Sequence, residues 1–569
     1  MSVPAPRLLT SWPYFRVYAL PALTVLALGL VRLFGGSYKV DSALYAGVGL
    51  HMYREGTWWT PMAGDLPYFN KPPLVMWIHG FVLDVLGPSL WAIRLPQLVA
   101  AMGCVLLAVA IVRRLSGAKV GLLAGMILAL SYPFWVHLHR LVLDYWLVLF
   151  TLAGVWMCVV GALRRREGWI IAAGVPVGLA MLCKPLFPVL TLPIMGLWML
   201  AAGHRRMAMW TGVGVGVALL VSLPWHLSMT AIHRDVFLDR YFGREIVDRG
   251  AGGGTFPIDP WWTYLGHVAL WFLPWNVALC GAIWAIAVRF VRTRGRCVVE
   301  GAGREGGAAE QAAVSEAAID HASMRADFFV PERERSIVEE TRVATPERAA
   351  LVLSREWQAI LLCVIWSAVW LVLLSAFFAD KRDRYMLHVW PMLAWLAAMW
   401  IVHWAPRRVR AFDSRWIGRG VAGLLGLAVV AAAVGLPPQD PVQRKWDDLY
   451  AWLERERLEG RAPEVWSGSL TPYEEGQVYL DTGIWPSAVW WAGSAEPRFP
   501  RRGAVVIFER DRLDNLSGVV GSTIEPAFES RPDKDPDLGD SRAMVAVRWD
   551  AAWNDALRRA DRALVGPRP

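Results

Sequence analysis

Cysteine is scarce in this 569-residue chain, which has six. Cys104, Cys158, Cys183, Cys280 and Cys363 lie inside apolar runs, Cys297 follows one, and no C-x-x-C pair occurs. Neither a disulfide framework nor a zinc-thiolate site is therefore expected. Paired metal-ligand histidines are missing too. His137, His139 and His388 are loosely spaced, with no H-x-x-x-H or H-E-x-x-H on their segments, and each reads more simply as an interfacial or core histidine. The first apolar run opens after Arg16 without an A-x-A-like cleavage site, so it is expected to stay as an anchor. No internal repeat is visible.

What the chain has is apolar sequence, 55% of it, with a mean hydropathy of +0.35. That exceeds what a soluble core of this length needs and places the chain in lipid. Among the 33 tryptophans, Trp58, Trp59, Trp261, Trp262, Trp271 and Trp275 stand where apolar runs meet polar sequence, as an aromatic belt does. The formal charge of +9 is no nucleic-acid signature, because the basic residues form short clusters at the ends of apolar runs. That pattern encodes membrane orientation.

Apolar runs of about 17–25 residues predict spans near 17–35, 92–112, 119–136, 141–163, 169–183, 186–202, 208–230, 263–290, 357–378, 386–403 and 418–436, or about eleven helices. The clusters at Arg7 and Arg16, Arg113 to Lys119, Arg164 to Arg166, Arg205 and Arg206, Arg292 to Arg296, and Arg407 to Arg410 then all fall on the cytoplasmic side, with the C-terminus outside. The stretch 74–86 follows Pro72 and Pro73, is too short to cross, and is expected to be an interfacial or re-entrant helix. Residues 1–436 thus form the transmembrane unit, in which 297–355 is expected to be a cytoplasmic, largely disordered loop. Residues 437–569 mix helical stretches (Trp446 to Leu458, Ala551 to Leu564) with strand-like runs (Val478 to Leu480, Ala504 to Phe508, Ala543 to Val547). They predict a small periplasmic α/β domain. The fold class expected is an α-helical polytopic membrane protein carrying that domain.

With this orientation, the charges that oppose the positive-inside pattern gather on the external face. Asp41 follows the first helix. Asn70 and Lys71 lie in YFNKPPLVMW, Asp144 in LDYWLVLF and Lys184 in CKPLFP. Glu245 and Arg249 lie in DRYFGREIVDRG, and Lys381, Arg382, Arg384 and Tyr385 in FADKRDRYMLHVWP. Each also has a plainer reading. Asp41 can cap the helix beginning at Ser42, Asp144 can pair with Arg140 one turn earlier, Lys184 can snorkel to the head groups, and the Lys381 to Arg384 cluster can be a solvated surface. A dense basic run on the outer side nevertheless suits a lipid phosphate. Cations of this kind neutralise a departing phosphate, while a carboxylate takes the proton of an acceptor hydroxyl or holds an amine for attack.

DSALYAG, EGTWWTPMAGDLPYFNKPPLVMWI, LDYWLVLF, CKPLFP, PWHLSMTAIHRDVFLDRYFGREIVDRG, DPWWTYL and FADKRDRYMLHVWPMLA, in this order across residues 10–405, resemble the bacterial branch of the protein O-mannosyltransferase superfamily. These are glycosyltransferases of GT-C architecture, and the resemblance is strongest to the lipid A aminoarabinose transferases. It implies Asp41 as principal catalytic acid residue and Asp144 as a second carboxylate. It also implies Lys71, Lys184, Lys381, Arg382 and Arg384 on the carrier phosphate, and Tyr45 in the same pocket. Ser42 stands where many relatives have a second acid. Asn70 and Ile246 replace a Glu and a His associated with zinc in the aminoarabinose transferases, so no divalent metal and no other cofactor is expected. The implied activity moves a monosaccharide from a polyprenyl-phosphate carrier to an envelope acceptor (lipid A, another glycan or a protein) at the periplasmic face of the bacterial inner membrane, with inversion. The alternatives are a protein O-mannosyltransferase proper, a transporter or flippase for lipid-linked sugars, and an inactive scaffold of the same fold.

Overall fold

The computed structural model describes residues 12–31, 33, 40–63, 66–138, 141–185, 187–248, 259–300, 353–379, 381–406, short pieces between 419 and 430, 442–461, 464–467, 487–488, 500–530 and 543–554. The expected loop at 297–355 therefore lies outside the described residues except at its two ends, as does most of the expected span 418–436.

The membrane unit is helical: α1 Trp12–Val31, α2 Val40–Arg54, α3 Leu74–Leu86, α4 Leu90–Leu130, α5 Asp144–Arg164, α6 Glu167–Met181, α7 Phe187–Ala201, α8 Trp210–Phe237, α9 Thr263–Trp271, α10 Asn276–Glu300, α11 Arg355–Phe377 and α12 Trp390–Met399. A π-helical segment, Leu238–Asp248, continues α8. The 41-residue α4 reverses at Gly117, where φ is +83°, a value that favours glycine. A Cβ added at Gly121 would lie 3.3 Å from Arg113 Cβ, and one at Gly125 would lie 2.5 Å from Val109 Cγ2. The two limbs therefore lie side by side, as the separate spans 92–112 and 119–136 require. α1 packs on this hairpin through Val17 and Leu20 against Val109, Leu122 and Met126.

Among the described residues four helical stretches are long and apolar enough to cross a bilayer, namely Trp91–Leu130, Asp144–Arg164, Arg205–Gly243 and Arg355–Phe377. The chain is a multi-pass membrane protein. α3, with 13 residues, is only about 20 Å long against a hydrocarbon core of about 30 Å. It lies tightly on α2, where a Cβ at Gly80 would come 2.1 Å from Gly49 O.

The span expected at 263–290 is not one continuous helix: α9 and α10 meet at 113° across a break. The cause is Pro274, which offers no N–H to continue the helix. Across the break Asn276 N donates to Phe272 O at 3.1 Å, and Asn276 Nδ2 reaches back to Ala269 O at 2.8 Å.

Helix contacts use small residues. Gly174 and Gly178 of α6 face Gly214 and Ala218 of α8, where a Cβ at Gly174 would approach Gly214 O to 2.2 Å. Backbone approach of this kind is how helices associate where lipid is as apolar as the side chains. The tryptophans divide into two groups. Trp58, Trp59, Trp261 and Trp262 are exposed, whereas Trp198, Trp366, Trp390 and Trp395 are buried in the helical core. Trp198 and Trp395 still place their indole N–H groups on Gln358 O and Ser116 Oγ, each at 2.9 Å.

Beyond the membrane unit, β3 Val465–Ser467, β4 Ser487–Ala488, β5 Val505–Glu509, β6 Phe528–Glu529 and β7 Met544–Arg548 form one sheet in the order β4-β3-β5-β7-β6. β1 Met62–Ala63 and β2 Leu66–Pro67 form a separate small hairpin. Period-two alternation sends Val505, Ile507, Met544 and Ala546 to one face of the large sheet, against Leu449 and Leu453 of α13 Val442–Leu458. Val506, Phe508, Val545 and Val547 go to the other face, against Leu513 and Leu516 of α14 Arg510–Val520. The strand-like run at 478–480 lies outside the described residues, and the helical stretch 551–564 is described only to 554.

Candidate active site

Four segments far apart in sequence meet at the N-terminal end of α5. Asp144, the first residue of that helix, is 1% exposed. Its acidic side chain suits the positive end of the helix dipole, while Arg164 and Arg165 occupy the opposite end. Gln97 Nε2 donates to Val142 O at 2.9 Å, Cys104 Sγ contacts Tyr145 O at 3.3 Å, and Tyr145 Oη donates to Phe134 O, so the turn carrying Asp144 is fixed from several sides.

Arg140 lies outside the described residues, and among those described Asp144 has two cationic partners. Lys184 Nζ stands 2.5 Å from its Oδ1 and Arg384 Nε 3.8 Å from its Oδ2. Lys184 follows the end of α6 and is 17% exposed, with its ammonium 4.5 Å above the Tyr385 ring. It is therefore no snorkelling lysine: its charge is turned inward to a carboxylate and an aromatic face.

Two backbone ties bring the other segments in. Leu74 N donates to Leu182 O at 3.1 Å, joining the start of α3 to the turn before Lys184 and placing Lys71, 7% exposed, in the same cleft. Leu141 N donates to Ser42 Oγ at 2.9 Å, joining the first turn of α2 to the approach to Asp144. Ser42, standing where relatives have an acid, thus acts as the acceptor in that tie. Asp41 is the second residue of α2; its side chain lies outside the described residues, as do those of Glu245 and Arg249.

The cleft has about 630 Å³ of open space including its mouth. Lys71, Asp144, Lys184 and His388 are among its polar lining residues, and Phe187, Trp370, Leu374 and Phe378 are among its apolar ones. Of the residues expected from sequence, Lys71, Asp144, Lys184 and Tyr385 line it and Arg384 reaches Asp144. Tyr45 instead packs with Leu143, Leu147 and Cys183 in a neighbouring core, edge-on to Tyr68 with ring centroids 6.5 Å apart. Asn70 contributes its carbonyl to Lys71 Nζ at 2.8 Å.

Lys381 serves the loop. Its Nζ donates to Asp259 O and Phe378 O, each at 2.9 Å, while its N–H donates to Asp259 Oδ2 at 2.8 Å. Arg382 is exposed. The same loop is held at its other end by Asp383, whose Oδ2 lies 3.2 Å from His137 Nε2 and whose Oδ1 accepts from Arg384 N at 2.7 Å. Burial opposes ionisation of Asp383, but the contact and charge of His137, the Arg384 N–H and the Arg384 charge outweigh it and hold the carboxyl at about 2.

The residues that sequence reasoning missed are the apolar wall and the Asp259 and Asp383 anchors. Trp370, Leu374 and Phe378 recur every four residues along one face of α11, a pattern that any core stripe also produces. Asn70 offers a neutral amide, and isoleucine at position 246 has no side-chain donor atom.

Residues 70–227 match the dolichyl-phosphate-mannose-protein mannosyltransferase family. The chain is 31% identical over 289 residues to an undecaprenyl phosphate-alpha-4-amino-4-deoxy-L-arabinose arabinosyl transferase of Pseudomonas paraeruginosa, covering 46% of this chain and 50% of the relative. It is 27% identical over 254 residues to the protein of the same description from Edwardsiella ictaluri, covering 43% and 46%. The chain thus spans about half the length of the curated relatives it matches. In structure it is similar to ArnT from Cupriavidus metallidurans bound to undecaprenyl phosphate, with a TM-score of 0.61 at 16% identity over 94% of this chain and 98% of that one. The chain therefore shares the GT-C fold of ArnT over nearly its whole length, and residues 70–227 within it match the mannosyltransferase family model.

Proposed function

We propose that this protein is an integral-membrane glycosyltransferase that moves a monosaccharide from a polyprenyl-phosphate carrier to an envelope acceptor (lipid A, another glycan or a protein). The observation that carries the reading is the mixed lining of the cleft. Lys71, Lys184 and the carboxylate of Asp144, which Arg384 also approaches, share it with the aromatic and aliphatic side chains of Phe187, Trp370, Leu374 and Phe378. An anionic head group on a hydrocarbon tail meets both requirements. The carriers named for the curated relatives and for the ArnT structure are of that chemistry.

In the proposed reaction an acceptor hydroxyl or amine attacks the anomeric carbon and the bond from that carbon to the phosphate oxygen breaks. The bonding pair leaves with the phosphate, where Lys71, Lys184 and Arg384 neutralise it. A carboxylate takes the acceptor's proton, a role the family resemblance gives to Asp41. Attack opposite the leaving phosphate inverts the centre. No step passes through a metal.

Asp144 and the Arg164 to Arg166 cluster sit at opposite ends of a 21-residue helix, about 30 Å apart. That spacing supports a cleft at the periplasmic face of the bacterial inner membrane with the arginines in the cytoplasm. The test is transfer of labelled sugar from a panel of polyprenyl-phosphate sugars in membranes holding wild type, Asp41→Asn or Asp144→Asn, with lipid and protein fractions separated. Label in one fraction that disappears with Asp41→Asn is the expected result and names the acceptor class. Equal labelling by wild type and Asp41→Asn overturns the assignment of the base, and no labelling from any donor overturns the transferase.

A further inference from the structure

His388 closes the short 3-10 turn Asp383–His388 and is 4% exposed in the lining of the cleft. Its ring has little freedom. Trp370 stacks on it with centroids 4.7 Å apart and planes 25° from parallel, and the neighbouring Trp366 indole N–H donates to the His388 carbonyl at 2.8 Å. One ring nitrogen is hydrogen-bonded to the Tyr385 carbonyl, and the other, Nε2, has no hydrogen-bond partner among the described residues. A carbonyl only accepts, so Nδ1 carries the proton and the neutral ring presents a lone pair at Nε2.

A buried acceptor left unmade costs about 1–3 kcal/mol, and here the stack and the Tyr385 bond fix the ring in the lining of the cleft. The phosphodiester of a sugar-bearing carrier cannot satisfy it, since it has no proton to give; on that ligand the partner must be an O–H or N–H group of the sugar. The proton-accepting base of an inverting displacement stands across the anomeric carbon from the leaving phosphate. His388, by contrast, stands on the cation side with Lys184 and Asp144. We infer that His388 Nε2 accepts a hydrogen bond from a hydroxyl or amino group of the transferred sugar, and so reads the sugar on a carrier whose phosphate the cations hold.

This rests on the transferase reading, so binding is measured beside transfer. Purified full-length protein in nanodiscs is titrated with polyprenyl phosphate bearing a monosaccharide and with bare polyprenyl phosphate. Three forms are compared: wild type, His388→Phe, which keeps a ring against Trp370 without the acceptor, and His388→Gln, which restores an acceptor oxygen. Wild type is expected to favour the sugar-bearing lipid by about tenfold, the worth of one well-made hydrogen bond. His388→Phe should lose that margin with the affinity for bare lipid unchanged, and His388→Gln should recover part of it. An equal loss for both lipids in His388→Phe and His388→Gln, or an unchanged margin in His388→Phe, overturns the inference. Failure of wild type to transfer sugar while the binding margin behaves as expected would sink the transferase reading and leave the sugar contact standing.

Discussion

Breaking the Asp144–Lys184 pair from either side should have unequal consequences. Removing one partner of a buried ion pair typically costs about 3–5 kcal/mol, because the survivor is left charged and unpaired. In Lys184→Met the survivor is Asp144, which is 1% exposed. Arg384, already 3.8 Å from Oδ2, can close in and relieve part of that, so a loss of about 2–3 kcal/mol is expected. In Asp144→Asn the survivor is Lys184, 17% exposed and lying over the Tyr385 ring. It can turn toward the cleft mouth and keep its cation–π contact, which lowers the expected loss to about 1–2 kcal/mol. The double variant should cost less than the two singles together by about 1–2 kcal/mol, since residues in direct contact are not additive. Reversible unfolding of the purified protein by SDS in mixed micelles supplies all four corners of the cycle. Two independent losses that add to within about 0.5 kcal/mol would refute the pairing, and a greater loss for Asp144→Asn than for Lys184→Met would refute the asymmetry.

Asp383 titrates at about 2 in the folded protein, below the roughly 3.9 of an unfolded aspartate. Its contribution to stability is therefore complete above about pH 4 and lost as pH falls toward 2; thermal midpoints measured across that range should fall, and Asp383→Asn should flatten the fall. Gly80→Ala should destabilise by about 1–3 kcal/mol, because the added Cβ meets the Gly49 carbonyl and not a movable side chain. Gly168→Ala, where nothing lies within 4 Å, is the neutral comparison in the same SDS titration. Lys381→Met should lower the thermal midpoint with little change in affinity for bare polyprenyl phosphate, whereas Lys71→Met should weaken that affinity; identical effects of the two would return Lys381 to the phosphate. A chelator such as EDTA should leave transfer intact, and its abolition with recovery on added zinc would show that Asn70 and Ile246 had been misjudged.

Much of the site was legible because ionisable residues inside apolar sequence are expensive and stand out. Asp144, Lys71 and Lys184 announced themselves that way, and all three line the cleft. The partner of Asp144 did not, since sequence offers only the neighbour one turn away, while Lys184 arrives from a different helix. Lys381 and Arg384 looked equivalent in one basic run, yet the turn sends one ammonium to backbone carbonyls and the other side chain to Asp144. The break between α9 and α10 was hidden by continuous hydrophobicity, although Pro274 was there to read. The orphaned Nε2 of His388 needed coordinates.

The arrangement also bears on whether such a cleft transports or catalyses. Transport sites sit near the bilayer midplane, between related halves, where broken helices expose backbone to the cargo. Here Asp144 begins a 21-residue helix whose other end carries Arg164, so the charged cluster lies at one end of the span. It is locked there by ties between segments: Ser42 to Leu141, Leu74 to Leu182, and Asp383 beside His137. Alternating access would have to open this cluster to the far side of about 30 Å of hydrocarbon while breaking those ties. A transferase asks only that carrier and acceptor meet at the boundary, where a lipid tail stays in the bilayer and its phosphate reaches fixed cations. Rigidity is a cost in the first case and the source of preorganised charge in the second.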